Sequence, residues 1–151
     1  MAKFVYRLQN VLDIKIRLET QAKTEFATAM NLVRTEEEKL AQLVNRRQQY
    51  QEDIRKKSLG KVDVVQLKIG GESVKAIEEM MKQQAVKLRI AERNLEKVRE
   101  QLNEAVKDRK IHEKLKEKAF EEFKMELNNE EKKEIDQLVS FTYNDKGKNT
   151  D

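Results

Sequence analysis

Residues 5–54 read VYRLQNVLDIKIRLETQAKTEFATAMNLVRTEEEKLAQLVNRRQQYQEDI. Stepping by sevens from Val5 meets Leu12, Glu19, Phe26, Val33, Leu40, Arg47 and Ile54, and six of these eight positions are apolar. A companion series runs Leu8, Lys15, Ala22, Ala29, Glu36, Leu43 and Tyr50, with Ile16, Met30 and Val44 flanking the same stripe. Apolar residues at alternating steps of three and four share one narrow face of a helix, which is the pattern of a coiled-coil seam. A seam this narrow is covered by one partner helix, not by a globular core. At about 1.5 Å per residue, the helix it predicts is roughly 75–80 Å long.

Moving outward, the pattern breaks at Ser58-Leu59-Gly60, and Gly70-Gly71 closes the interruption. The segment between, Val62-Asp63-Val64-Val65-Gln66-Leu67-Lys68-Ile69, is short and partly β-branched, so residues 58–73 are expected to form a loop with room for a short helical piece. Glu72-Ser73 supplies a start signal for the next helix. That helix has its own seam, Val74, Ile77, Met81, Leu88, Ala91, Leu95, Val98, Leu102 and Ala105. Beyond it, Arg109, His112 and Lys116 occupy the seam positions, while Ile111, Leu115, Ala119, Phe120, Phe123 and Leu127 suggest a shifted stripe. A slip of this kind changes the local supercoil or the partner.

The expected fold is therefore all-α: two long helices forming an antiparallel coiled-coil hairpin over residues 1–139. Helix 1 spans about 3–57, the loop about 58–73, helix 2 about 74–139, and residues 140–151 form a flexible tail. Tethering favours this arrangement, because the second stripe is always at hand for the first. A parallel homodimer would leave the glycine break without a purpose, and a four-helix pairing of two hairpins is the next alternative.

Composition agrees. Charged residues make up 40% and aromatics 5% of the 151 residues, and proline, tryptophan and cysteine are absent. Too little apolar bulk is present for a compact globule, so a periodic helical assembly is what remains once disorder is set aside. The 32 basic and 28 acidic residues are interleaved, as in Glu113-Lys114 and Glu117-Lys118, which solvates helix faces and argues against a nucleic-acid surface. No disulfide or thiolate metal site is possible without cysteine. The opening residues lack a signal-peptide core, and nowhere do about 18 apolar residues run together. A cytoplasmic location is expected.

No catalytic, cofactor or metal site is expected. His112 is the only histidine, and it reads as a seam-edge or surface residue. Carboxylate runs such as Glu36-Glu37-Glu38 read as a solvated face, since acid–base chemistry needs a pocket that separates pKa values. Gly60-Lys61 and Gly147-Lys148 lack the remainder of a phosphate-binding loop. Membrane-surface binding finds its nearest support in Phe4, Tyr6, Leu8, Val11 and Leu12, without a basic face opposite them. Phe4, Tyr6, Phe120, Phe123 and Phe141 are expected where the chain ends meet. There they form either a small local core or a surface for insertion into a partner.

The opening Phe4-Val5-Tyr6-Arg7-Leu8-Gln9-Asn10-Val11-Leu12-Asp13-Ile14-Lys15, followed by Glu19, Ala22, Lys23 and Glu25, resembles that of the FliJ family of flagellar type III export proteins. Arg109-Lys110, Glu113-Lys114-Leu115 and Glu131-Lys132-Lys133-Glu134-Ile135-Asp136 are similar to the family's C-terminal part. The resemblance implies a non-enzymatic, stalk-like coiled coil, without cofactor, at the cytoplasmic face of the inner membrane. Its partners would be the flagellar export ATPase hexamer, the cytoplasmic domain of the export gate membrane protein, and export chaperones. It implies promotion of ATPase assembly and hydrolysis, with no nucleic acid involved and membrane contact only through partners. Carried onto this chain, the ring-binding candidates are Arg7, Leu8, Leu12, Lys15, Arg109, Lys110 and Lys114. The gate-binding candidates are Leu43, Tyr50, Ile77, Met80 and Gln84. A general coiled-coil adaptor, or the injectisome stalk paralogue, is the alternative.

Overall fold

The computed structural model describes residues 2–148. It contains two helices, α1 (Gln9–Lys57, 49 residues) and α2 (Val64–Lys148, 85 residues), and no strand among the described residues. The helices pair within two compact units. A turn unit comprises Glu19–Glu104, and a terminal unit joins Met1–Leu18 to Ala105–Asp151.

In the turn unit, contacts run in opposite directions along the two helices. The Arg99 guanidinium lies 5.9 Å from the Phe26 ring centroid. Gln84 meets Glu36, and Arg47 Nη2 lies 3.1 Å from Glu78 Oε1. As the α1 number rises, the α2 number falls, so the pairing is antiparallel. Ala22, Ala29, Ile77, Ala91 and Val98 form the buried apolar core, and three of the five are alanines. Small residues at a helix crossing let the backbones approach closely. With only two helices the core is one side chain thick, and no large side chain is wholly enclosed.

One buried polar pair interrupts this core. Gln84 Nε2 donates to the Glu36 backbone carbonyl at 3.1 Å and also to the Glu36 carboxylate. The other carboxylate oxygen lies 3.6 Å from Lys39 Nζ. A buried polar pair in an apolar seam favours the one register in which both partners are satisfied.

The turn is shorter than the expected loop of 58–73. The end of α1 carries Arg55, Lys56 and Lys57, cations that suit the negative end of a helix dipole. Ser58 N donates to the Ile54 carbonyl at 3.1 Å, and Ser58 Oγ to that of Arg55 at 2.7 Å. Helix α2 starts ten residues before the expected 74, because Asp63 caps it. Asp63 Oδ1 accepts from Val65 N at 3.0 Å, and the Asp63 carbonyl accepts from Leu67 N at 3.1 Å. Ser73, expected near the helix start, lies inside the helix and donates its hydroxyl to the Ile69 carbonyl at 2.9 Å. Gly70 and Gly71 both lie inside α2, and at Gly70 the missing side chain has a packing reason. A Cβ there would stand 2.7 Å from Ile54 Cγ1, whereas at Gly71 nothing lies within 4 Å.

In the terminal unit, α1 begins at Gln9 instead of about residue 3. Gln9 N donates to the Tyr6 carbonyl at 3.2 Å, and Leu12 N to that of Leu8 at 3.1 Å. Lys15 Nζ lies 3.5 Å from Asp108 and Phe4 packs on Phe120, so one number falls as the other rises and pairing here is antiparallel as well. Helix α2 continues past the expected 139 to Lys148, through most of the expected flexible tail; residues 149–151 lie outside the described residues.

The two neighbouring glycines make a direct test. Gly71→Ala should stabilise the chain by about 0.5–1 kcal/mol through helix propensity alone. Gly70→Ala should forfeit that gain, because its methyl group collides with Ile54. Thermal unfolding by circular dichroism checks this; equal melting temperatures for the two variants would contradict the contact.

Candidate partner-docking surfaces

An aromatic cluster closes the terminal unit. Phe4 packs edge-on to Phe120 with ring centroids 5.1 Å apart and interplanar angle 61°, and its centroid is 5.4 Å from that of Phe123. Lys124 Nζ sits 4.6 Å from the Phe120 centroid, a cation over a ring face. Phe4 and Phe123 are half-buried and Phe120 is 38% exposed, so three of the five aromatics expected here pack on one another while one ring still faces solvent. Phe141 stays exposed on α2. Tyr6 is half-buried, and its hydroxyl oxygen is shielded without a hydrogen-bond partner in the protein.

The expected phase slip in α2 does not occur as a change of packing. Ala105, Arg109, His112, Lys116, Ala119, Phe123 and Leu127 are all half-buried, at steps that alternate four and three until the last. The seam therefore keeps its phase and accepts polar residues. Long Lys and Arg stems cover apolar surface while their charged ends reach water, so the substitution is tolerable. Arg109 Nη1 donates to Glu113 Oε2 at 2.8 Å, which keeps its charge partnered. Keeping phase turns the other stripe outward, leaving Ile111 55% and Leu115 46% exposed.

This outcome sorts the ring candidates. Leu12 is buried in the seam. Lys15 and Arg109 are half-buried and occupied by Asp108 and Glu113. Arg7, Leu8, Lys110 and Lys114 are exposed. On α2, Lys110 and Lys114 join Lys107 and Ile111 in an open shallow depression bounded by Glu113 and Glu117. The spacing 107, 110, 111, 114 is that of one helix face. Ile111, expected in a shifted stripe, and Lys107, which the sequence did not single out, both lie on this exposed face.

The gate candidates all fall in the turn unit and divide in the same way. Ile77 is buried, and Gln84, only 7% exposed, is committed to Glu36. Leu43 is half-buried, whereas Tyr50 and Met80 are exposed. Tyr50 borders an open cleft with Ile54, Lys57, Ile69 and Gly70.

Among the described residues, no three or more His, Cys, Asp or Glu side chains gather where a metal ion could be held. No helix among the described residues is long and apolar enough to cross a membrane. What the geometry offers is helix surface, in two sets on two units.

Compared with known protein families, the chain matches the model of the flagellar FliJ protein over residues 4–148. The chain belongs to the FliJ family. No curated protein and no solved structure matches it. FliJ-family membership places it in flagellar export, and the family is a non-catalytic component of that process. The match spans both units, so both candidate surfaces lie within the FliJ region.

A pair of substitutions separates seam from surface. Gln84→Ala leaves the buried Glu36 short of a partner and should cost roughly 1–3 kcal/mol in urea unfolding. Met80→Ser should fall within about 0.5 kcal/mol of the parent. Similar losses for both would refute the seam assignment of Gln84.

Proposed function

We propose that the chain is a non-enzymatic, cytoplasmic stalk of the flagellar export apparatus that engages the hexameric export ATPase through its terminal unit. On this reading it promotes ATPase assembly and hydrolysis, contacts the cytoplasmic part of the export gate through the turn unit, and escorts export chaperones. The observation that carries the reading is the family match over residues 4–148, supported by the exposed set Arg7, Leu8, Lys107, Lys110, Ile111 and Lys114.

The chemistry of that set suits a protein partner. Exposed cations steer an acidic surface into encounter, and apolar side chains among them supply area that water leaves on contact. A single antiparallel pair of helices has no sixfold symmetry. Six equivalent ring subunits therefore meet different side chains, and such unequal contact biases some subunit interfaces over others. At the gate, Tyr50 and Met80 are the candidates with side chains free to touch a partner, while Leu43, Ile77 and Gln84 would act by holding α1 against α2.

Mixing the purified chain with the export ATPase tests the first step. Hydrolysis should accelerate and hexamers should appear by analytical ultracentrifugation. Lys110→Glu with Lys114→Glu should weaken the interaction about tenfold or more, with helicity unchanged. Neither acceleration nor hexamers would overturn the proposal and favour a general adaptor. Stimulation of an injectisome ATPase alone would favour the paralogous stalk.

A further inference from the structure

The turn between α1 and α2 carries a combination found nowhere else in the described chain. Five large apolar side chains, Leu59, Val62, Val64, Val65 and Ile69, are between 56% and 82% exposed within eleven residues. Between Asp53 and Glu72 stand five cations, Arg55, Lys56, Lys57, Lys61 and Lys68, against one acid, Asp63. That stretch alone has a net charge of +4, equal to the formal net charge of the whole chain. None of the five cations makes an ion pair among the described residues. Asp63 is engaged by capping α2.

From this juxtaposition we infer that the turn docks on an anionic lipid surface, with the apolar side chains entering the headgroup region and the cations meeting lipid phosphates. Scattered exposed apolar residues are ordinary, but five within eleven residues, set among unpaired cations, mark an interaction surface. The distribution favours a lipid interface over an acidic protein. Successive helical residues such as Val64 and Val65 point about 100° apart, and Leu59 and Val62 lie in the connecting segment. A shaped protein groove reads one stripe of a helix. A bilayer interface accepts apolar side chains from every side of a turn, while Lys and Arg stems reach back to phosphate level. Each cation near an anionic membrane contributes on the order of 1 kcal/mol, or about a fivefold change in partitioning. The attraction falls off over about 10 Å at 0.1 M salt. The inference stands on the turn's own chemistry and does not depend on the ATPase reading.

Flotation of the full chain with vesicles of phosphatidylcholine, with and without phosphatidylglycerol, tests it. Binding should require phosphatidylglycerol and fall steeply with added salt. Lys56→Glu with Lys57→Glu and Lys61→Glu should abolish it, and Val64→Ser with Val65→Ser should lower it roughly tenfold. Lys82→Glu with Lys87→Glu, exposed cations elsewhere on the turn unit, should leave it unchanged; circular dichroism verifies folding of each variant. No partitioning into phosphatidylglycerol vesicles would overturn the inference. So would partitioning indifferent to the turn substitutions. A Glu-rich amphipathic peptide that binds the turn while vesicles do not would assign the surface to an acidic protein and overturn it equally.

Discussion

Removal of one narrow apolar stripe of α1 from water against α2 is the interaction on which the rest depends. Charged residues are 40% of the chain, and a helix with most of its surface in water draws little stability from propensity alone. The stripe is thin, with Ala22, Ala29, Ile77, Ala91 and Val98 buried in the turn unit and Leu12 in the terminal unit. Every other feature is a consequence of that seam or a surface left over by it. With a core one side chain thick, most of what the described residues offer a partner is helix face and turn.

Polar groups within the seam then decide which register forms. Apolar stripes alone permit slippage by a heptad, since one aliphatic contact resembles the next. Glu36 with Gln84 and Arg47 with Glu78 do not tolerate it, because a slipped register leaves buried or half-buried polar groups without partners. Gly70 acts in the same sense through shape: Ile54 occupies the space a side chain would need. In the terminal unit, Arg109, His112 and Lys116 hold the seam's phase and so turn Ile111 and Leu115 outward. Packing on one face of α2 thus determines what the opposite face can offer a FliJ-family partner.

The two helices, their antiparallel pairing and the seam from Leu12 to Ala105 were legible in the heptad pattern, because burial of a stripe is a periodic constraint; Val5, expected as its first position, precedes α1 and is 79% exposed. Local exceptions were not. Gly70 and Gly71 read as breakers, although one is required by a close helix contact and the other is merely tolerated inside α2. Asp63 was the true cap, hidden beside β-branched Val64 and Val65 that disguise a helix start. Hydrophobicity also misled at Ile111 and Leu115, where two apolar residues face solvent while Arg and Lys stems fill the seam. Of the docking candidates, sequence resemblance selected residues from both units but could not separate Ile77 and Gln84, which hold the helices together, from Tyr50 and Met80, which are exposed. The cationic apolar turn escaped notice because the segment was expected to be a longer loop.

The pairing of α1 with α2 inside one molecule is most directly tested by spin labels. The chain has no cysteine, so Arg46→Cys with Glu79→Cys gives two unique labelling sites at exposed positions beside the Arg47–Glu78 contact, which is left intact. Double electron–electron resonance should report one short distance that survives dilution of the labelled protein with an excess of unlabelled chain. A distance that disappears on dilution, or a broad long distribution, would contradict the intramolecular seam.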